Sequence, residues 1–143
     1  MVDAWGDPPP IQKTRQKIMP FAQGTVLEIG VGSGANFPYY DPTKVNKLYA
    51  LEPNPGMVRL AKRKVHQTLN IEFLDLPGER IPLENETMDT VVSTFTLCTI
   101  PGIVDAIQGI ARVLRPGGEL IFFELGRSSD PKVHIWRKSH QHG

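Results

Sequence analysis

Apolar and polar residues follow one another along this chain in blocks that predict alternating strands and helices. Short apolar runs that end at glycine or at a turn residue are typical of buried strands, and apolar residues spaced three to four apart are typical of helices. The apolar runs predict strands at 25–29, 47–51, 71–74, 90–95 and 118–124. Helical spacing occurs at 57–65 and 103–114, with a weaker amphipathic pattern at 11–21.

This alternation predicts one doubly wound α/β domain. Strands separated by helical segments form a mainly parallel sheet, with right-handed crossovers that place helices on both faces. A chain of 143 residues with 40% hydrophobic content can bury one substantial core. We therefore expect a single domain over 1–143 with a sheet of about five strands, an extended proline-rich lead-in at 1–10 and a polar tail at 127–143 outside the core.

Charge and cysteine content narrow the classes of partner. Sixteen basic and fifteen acidic residues leave a net charge of +1, so no overall field favours nucleic acid. The single cysteine, Cys98, excludes an internal disulfide and fits a reducing compartment, so we expect a cytoplasmic protein in which this thiol is buried and inert. The sequence has no apolar run of about 18 residues, so we expect any membrane contact to be peripheral. The histidines of the tail lack regular ligand spacing, and we expect no metal site.

A glycine-rich turn follows the first predicted strand and carries the main functional signal. Gly30, Gly32 and Gly34 lack a Cβ, which lets the backbone approach a ligand closely at the amino end of a helix. The same run, with Ala35, also satisfies the G-x-G-x-x-A pattern of dinucleotide-binding proteins. The pattern therefore predicts a nucleotide cofactor, and a nicotinamide-dependent oxidoreductase stays open as an alternative.

Two acidic residues flank this turn at the same predicted edge of the sheet. Glu28 lies at the end of a buried apolar strand, where an unpaired carboxylate is costly, so it needs a cationic or hydrogen-bonding partner. The methionine amino group of S-adenosylmethionine is one such partner, and nearby backbone N–H groups are another. Glu52 ends the second strand, where a carboxylate accepts hydrogen bonds from both ribose hydroxyls of a nucleoside. Glu52 thus indicates a nucleoside without distinguishing the two cofactors.

Four segments in order resemble the motifs of the class I S-adenosylmethionine-dependent methyltransferases. They are VLEIGVGSG, LYALEPNPGM, PGERIPLENETMDTVVSTFTLCTIP and ARVLRPGGELIFFELGRSSD. The resemblance covers the chain from Gly24 to about Trp136 and is closest to the branch that holds phospholipid N-methyltransferases and small-thiol methyltransferases. It implies a Rossmann-like sheet, S-adenosylmethionine as cofactor and S-adenosylhomocysteine as product.

The resemblance also implies which residues contact the cofactor. It places at this site Glu28, Ile29, Gly30, Val31, Gly32, Gly34, Glu52, Pro53, Asn54, Gly78, Glu79, Thr94 and Phe95. The family's polar residue beside the adenine amine aligns with Pro77, which has no N–H to donate, and Asp75 is the candidate substitute. On the acceptor side the candidates are Tyr39, Tyr40 and Thr96, and no catalytic residue is assigned. The expected reaction is methyl transfer to a small molecule or a lipid head group.

The chain departs from the family near its end. The family completes its sheet with two further strands after strand five, and this sequence ends at Gly143, with Leu125 where the branch usually has histidine. We therefore expect a sheet that lacks the C-terminal hairpin and leaves 119–123 as an apolar edge, which favours a homodimer through that edge. A truncated domain that binds the cofactor without catalysis is a further alternative.

Overall fold

A computed structural model describes residues 7–65, 68–94, 100–125 and 131–140. Its helices are α1 (Pro9–Ile18), α2 (Pro55–Lys62) and α3 (Ile103–Val113), with short 3-10 helices at Met19–Phe21 and Phe37–Tyr39. Its strands are β1 (Gly24–Ile29), β2 (Val45–Leu51), β3 (Ile71–Leu74), β4 (Met88–Thr94), β5 (Leu114–Leu125) and β6 (Pro131–Arg137). Among the described residues, no helix is both long enough and apolar enough to cross a membrane.

The strands form one sheet in the order β3-β2-β1-β4-β5-β6, in which the first five strands run parallel and β6 runs antiparallel to β5. The predicted doubly wound, mainly parallel α/β fold is confirmed. Because β1 is central and parallel to both neighbours, its end meets the ends of β2 and β4 at one edge of the sheet. Ligands of open α/β sheets bind outside this carboxyl edge, so the topology gathers the candidate residues there.

Both faces of the sheet are buried. Val26 and Val92 belong to the core on one face, whereas their neighbours Leu27 and Val91 belong to the core on the other face, which α3 covers through Ile110. All four strand residues are 0% exposed. Burial of consecutive strand residues explains why these strands read as continuous apolar runs rather than as alternating patterns.

The prediction of a sheet of about five strands without a C-terminal hairpin is wrong, because residues of the predicted polar tail add a sixth strand. β6 pairs with β5 from Leu125↔Pro131 to Glu119↔Arg137, so the sheet has six strands and β5 is not an edge. The Lys138 side chain then donates hydrogen bonds of 2.8 Å to the carbonyls of Ala111 and Leu114 at the end of α3. Edge strands commonly carry charged residues, so the polar composition of this segment did not indicate a strand. The reason for expecting a homodimer was an open β5 edge, and that edge is occupied by β6.

The start of the chain and the predicted turn before strand five also differ from expectation. α1 begins at Pro9, so the extended lead-in ends earlier than predicted; proline is tolerated in the first helical turn because its missing N–H has no partner there. β5 begins at Leu114 and includes the predicted turn residues, since the Gly117 N–H donates to the Lys138 carbonyl at 2.9 Å. The tail therefore holds this segment against the sheet.

Candidate functional site

The glycine loop leaves β1 at the carboxyl edge of the sheet. Gly30, Gly32 and Gly34 have φ angles of 68°, 59° and 86°, a left-handed region in which glycine carries no steric penalty. The Gly30 N–H donates to the Leu51 carbonyl at 2.9 Å, which ties the loop to the end of β2. The predicted sharp turn is present, although the loop continues through turns into the 3-10 helix Phe37–Tyr39 instead of opening an α-helix.

Gly32 and Gly34 have different surroundings. A Cβ at Gly34 would lie 3.0 Å from the Cα of Ala61 and 3.1 Å from the Phe37 ring, so this glycine lets the loop pack closely on α2. A Cβ at Gly32 would have no atom within 4 Å. Gly32 therefore borders open space, where the backbone is accessible to a ligand.

Glu52 lies directly beside Gly32. Its Oε1 atom accepts a hydrogen bond from the Gly32 N–H at 2.7 Å, and its Oε2 atom accepts one from the Asn54 N–H at 3.1 Å. The residue is 8% exposed. A carboxylate has about four lone-pair sites, so these two bonds leave acceptor capacity for hydroxyl groups that approach from the open side of the loop. The geometry suits the predicted ribose contact.

Glu28 obtains its partners from the protein. It is 1% exposed, and its two carboxylate oxygens accept hydrogen bonds from the Tyr40 hydroxyl at 2.7 Å and from Asn36 Nδ2 at 3.2 Å. Burial raises the pKa of Glu28 to about 7, although the two hydrogen bonds and the nearby charge of Arg15 oppose this effect. Glu28 thus has the hydrogen-bonding partners that a buried carboxylate was expected to need, and they are the side chains of Tyr40 and Asn36 rather than backbone N–H groups. Its contact with the amino group of the cofactor stays a prediction.

Asn36 and Arg15 were missed by the sequence analysis. Arg15 is 3% exposed; its Nε donates to Asp7 at 2.7 Å and its Nη1 donates to Asn36 Oδ1. Asn36 Nδ2 also donates to Thr94 Oγ1 at 3.2 Å. Thus one buried polar network joins α1, the glycine loop, β1 and the end of β4. The signal was the four-residue spacing that places Arg15 on the buried face of α1 between Ile11 and Met19, both buried.

The remaining candidates on the acceptor side divide into three groups. Tyr40 is 3% exposed and packs in the core, so its hydroxyl faces Glu28 rather than an open cleft. Tyr39 is half-buried and is the last residue of the 3-10 helix that precedes Tyr40. Thr96, the third of these candidates, lies outside the described residues, as do Phe95, which was predicted to contact the cofactor, and Cys98, which was predicted to be buried and inert.

The residues that were predicted to border the adenine lie at the carboxyl edge of the sheet, and the structure gives them different structural roles. Asn54 caps α2, its Oδ1 accepting from Gly56 and Met57, while Pro53 is exposed. Gly78 is buried, where a Cβ would lie 2.9 Å from Ile29, so the loop after β3 packs on the end of β1.

Glu79 and Asp75 lie on either side of Gly78 in the loop after β3. Glu79 packs on Gly102 at the start of α3, since a Cβ at Gly102 would lie 2.6 Å from the Glu79 Cγ atom. Asp75, the candidate substitute for the family's adenine contact, is exposed at the end of β3. Lys64, not expected at the site, donates to Ser33 Oγ in the glycine loop at 3.3 Å.

Comparison with known proteins agrees with this geometry. Residues 27–122 match the family described as a methyltransferase domain. The chain is 35% identical over 119 residues to thiol S-methyltransferase TMT1B of Rattus norvegicus, covering 80% of this chain and 48% of the relative. It is 29% identical over 102 residues to phosphatidylethanolamine N-methyltransferase of Cereibacter sphaeroides, covering 68% of this chain and 49% of the relative. A crystal structure of a SAM-dependent methyltransferase from Aquifex aeolicus matches with a TM-score of 0.65 and 27% identity, over 82% of this chain and 64% of that chain.

This chain spans about half the length of the relatives it matches. The matched family segment begins inside β1 and ends inside β5, so it contains the glycine loop, Glu52 and the end of β4 together. The glycine pattern also suited a nicotinamide cofactor, and the match to a methyltransferase family removes this ambiguity. The chain belongs to the methyltransferase domain family.

Proposed function

We propose that this protein binds S-adenosylmethionine at the glycine loop and transfers its methyl group to a small molecule or a lipid head group. The observation that carries the proposal is the open space at Gly32 beside the Glu52 carboxylate, which is held 2.7 Å from the Gly32 N–H. A nucleoside ligand needs both features, a backbone it can approach and an acceptor for its ribose hydroxyls.

The residues of this chain bind and orient rather than form covalent bonds. When bound, S-adenosylmethionine would supply a methyl group that is already activated by the positively charged sulfur, with S-adenosylhomocysteine as the product. Glu52 fixes the ribose, and the Arg15–Asn36–Glu28 network holds the glycine loop against α1 and the end of β4. Such positioning supplies much of the rate enhancement when donor and acceptor are held in line.

Glu52→Ala tests the proposed cofactor site. Loss of the hydrogen bonds from ribose to a charged acceptor should weaken S-adenosylhomocysteine binding by about tenfold or more in titration calorimetry. Glu72→Ala, which removes an exposed carboxylate paired with Lys47 on the neighbouring strands, is the matched control and should bind normally. Unchanged affinity in Glu52→Ala, or wild-type protein that binds NAD in preference to S-adenosylhomocysteine, would overturn the assignment.

The acceptor is proposed at the level of chemical class. The similar proteins named above act on thiols and on phosphatidylethanolamine, and a nucleophile of either kind suits the proposed reaction. Incubation with labelled S-adenosylmethionine and with small thiols, amines or phosphatidylethanolamine vesicles should give labelled product. Cofactor binding without any labelled product would favour the alternative of a binding domain without catalysis.

The proposed location is the cytoplasm, with peripheral contact to a membrane where the acceptor is a lipid. A single cysteine in the chain supports a reducing compartment. No homodimer through the β5 edge is proposed, because β6 occupies that edge.

A further inference from the structure

An apolar groove lies between α3 and the β5–β6 hairpin, away from the glycine loop. Its volume is about 450 Å³, within the range of small-molecule sites. Its apolar lining comes from both sides, with Ile103, Ile107, Ile110 and Ala111 on α3 and Leu120, Phe122, Phe123 and Trp136 on the hairpin.

The open wall of this groove consists of large apolar side chains. Ile103, Ile107 and Trp136 are 38%, 49% and 45% exposed. Exposed apolar residues scattered singly are ordinary, but a contiguous set lining one depression marks a binding surface. The groove therefore has the composition of a site for an apolar group.

The groove leads to the edge of the sheet where the cofactor is proposed to bind. α3 starts at this edge and runs back along β5, so Ile103 and Glu124 mark the near end of the groove while Ala111 and Leu120 mark the far end. Thr94 pairs with Phe123, the residue before Glu124, which places the near end one strand away from the end of β4. From Ile103 to Ala111 the helix is about 12 Å long.

The near end of the groove is polar. Glu124 lines it and pairs with His134 Nε2 at 2.7 Å. The His134 ring also stacks on Phe122, with 4.7 Å between ring centroids. A carboxylate and an imidazole at one end of an apolar groove are complementary to an amphiphile whose polar head carries a hydrogen-bond donor.

We infer that this groove holds the alkyl chain of the methyl acceptor, with the nucleophilic head at Glu124 and His134, beside the carboxyl ends of β4 and β5. The inference rests on the proposed function, which it deepens: the acceptor is a long-chain amphiphile carrying an amine or a thiol. Continuity of the groove with the cofactor edge and the polar pair at that end favour this occupant over a second protein chain.

The test uses two homologous series of probes, n-alkylamines and n-alkanethiols from about two to ten carbons, the longer approaching the length of the groove. Binding is followed by the fluorescence of Trp136 in a Trp5→Phe background, because these are the two tryptophans of the chain. Affinity should rise roughly two- to fourfold for each added methylene in at least one series, since burial of a methylene contributes about 0.8 kcal/mol when complete. The series that shows the rise identifies the head group.

A pair of variants on one helix localises the effect. Ile107→Asp places a charge in the groove and should lower affinity for the longest probe at least tenfold, whereas Val104→Asp, at a residue 64% exposed and outside the lining, should leave it unchanged. Both changes affect exposed positions of α3 and so spare the core. Equal effects of the two variants, or affinity independent of chain length in both series, would overturn the inference.

Two further measurements separate this inference from its alternatives. Light scattering that shows a dimer in wild type and a monomer in Ile107→Asp would assign the groove to a second copy and refute the alkyl-chain site. Titration of S-adenosylhomocysteine on every variant reports the cofactor site independently. Failure of that binding in wild type would refute the proposed function while the alkyl-probe series would still decide the groove.

Discussion

Glu28 should make this fold less stable as the pH rises from about 4.5 to about 7. Burial raises the pKa of this carboxyl from 4.5 to about 7. In that interval the folded protein keeps the proton while the unfolded chain releases it, so stability is greatest below about pH 4.5, falls through the interval and levels off above about pH 7. At about 1.36 kcal/mol per pH unit the total loss is about 3 kcal/mol.

The Glu28→Gln variant isolates this contribution. Glutamine stays neutral, so the free energy of unfolding should lose the part of its pH dependence that Glu28 causes; any change in hydrogen bonding to Tyr40 and Asn36 adds an offset that does not vary with pH. Urea unfolding followed by circular dichroism at a series of pH values measures the slope. Glu72→Gln, at an exposed carboxyl, is the control and should keep the wild-type slope in this interval.

The difference between wild type and Glu28→Gln is the decisive quantity, because every other titratable group is the same in both proteins. A difference that stays constant from about pH 5 to about pH 8 would refute the assignment. A carboxyl resonance of Glu28 that titrates near 4.5 in NMR would refute it independently.

Three further predictions concern the loop and the two helices that support the site. Gly34→Ala should lower the free energy of unfolding in urea by about 2–5 kcal/mol, because of left-handed backbone strain and the clash with Ala61. Gly32→Ala should lower it by only about 1–2 kcal/mol but should weaken S-adenosylhomocysteine binding. Equal losses of unfolding free energy in the two variants would contradict this distinction. Lys138→Met should cost about 1–3 kcal/mol by removing two hydrogen bonds at the end of α3, and an unchanged unfolding midpoint would show that the tail does not hold this helix. Asn54→Ala should cost about 1 kcal/mol through loss of the α2 cap, with Asn54→Asp as the stable control.

The sequence by itself determined the alternation of strands and helices, the parallel sheet and the candidate cofactor edge. These depend on local pattern: an apolar run ended by glycine predicts a buried strand wherever it packs, and parallel strands bring their carboxyl ends to one edge. Gly32 and Glu52 were identified in this way, since Gly32 belongs to the glycine turn after the first predicted strand and Glu52 comes at the end of the second. The structure brings them into contact, with 2.7 Å between the Gly32 nitrogen and Glu52 Oε1.

Only the tertiary structure decided which residues satisfy Glu28 and what becomes of the polar tail. Asn36 and Tyr40 donate to Glu28 directly, and Arg15 of α1 reaches this network through its bond to Asn36 in the glycine loop. The tail forms β6 because the Glu119–Leu125 part of β5 has backbone groups to pair on the side away from β4, and hydrogen bonds to those groups stabilise a strand that hydrophobic patterning alone did not predict. Such contacts depend on which surfaces meet in space, and hydrophobic periodicity along a single segment does not contain that information.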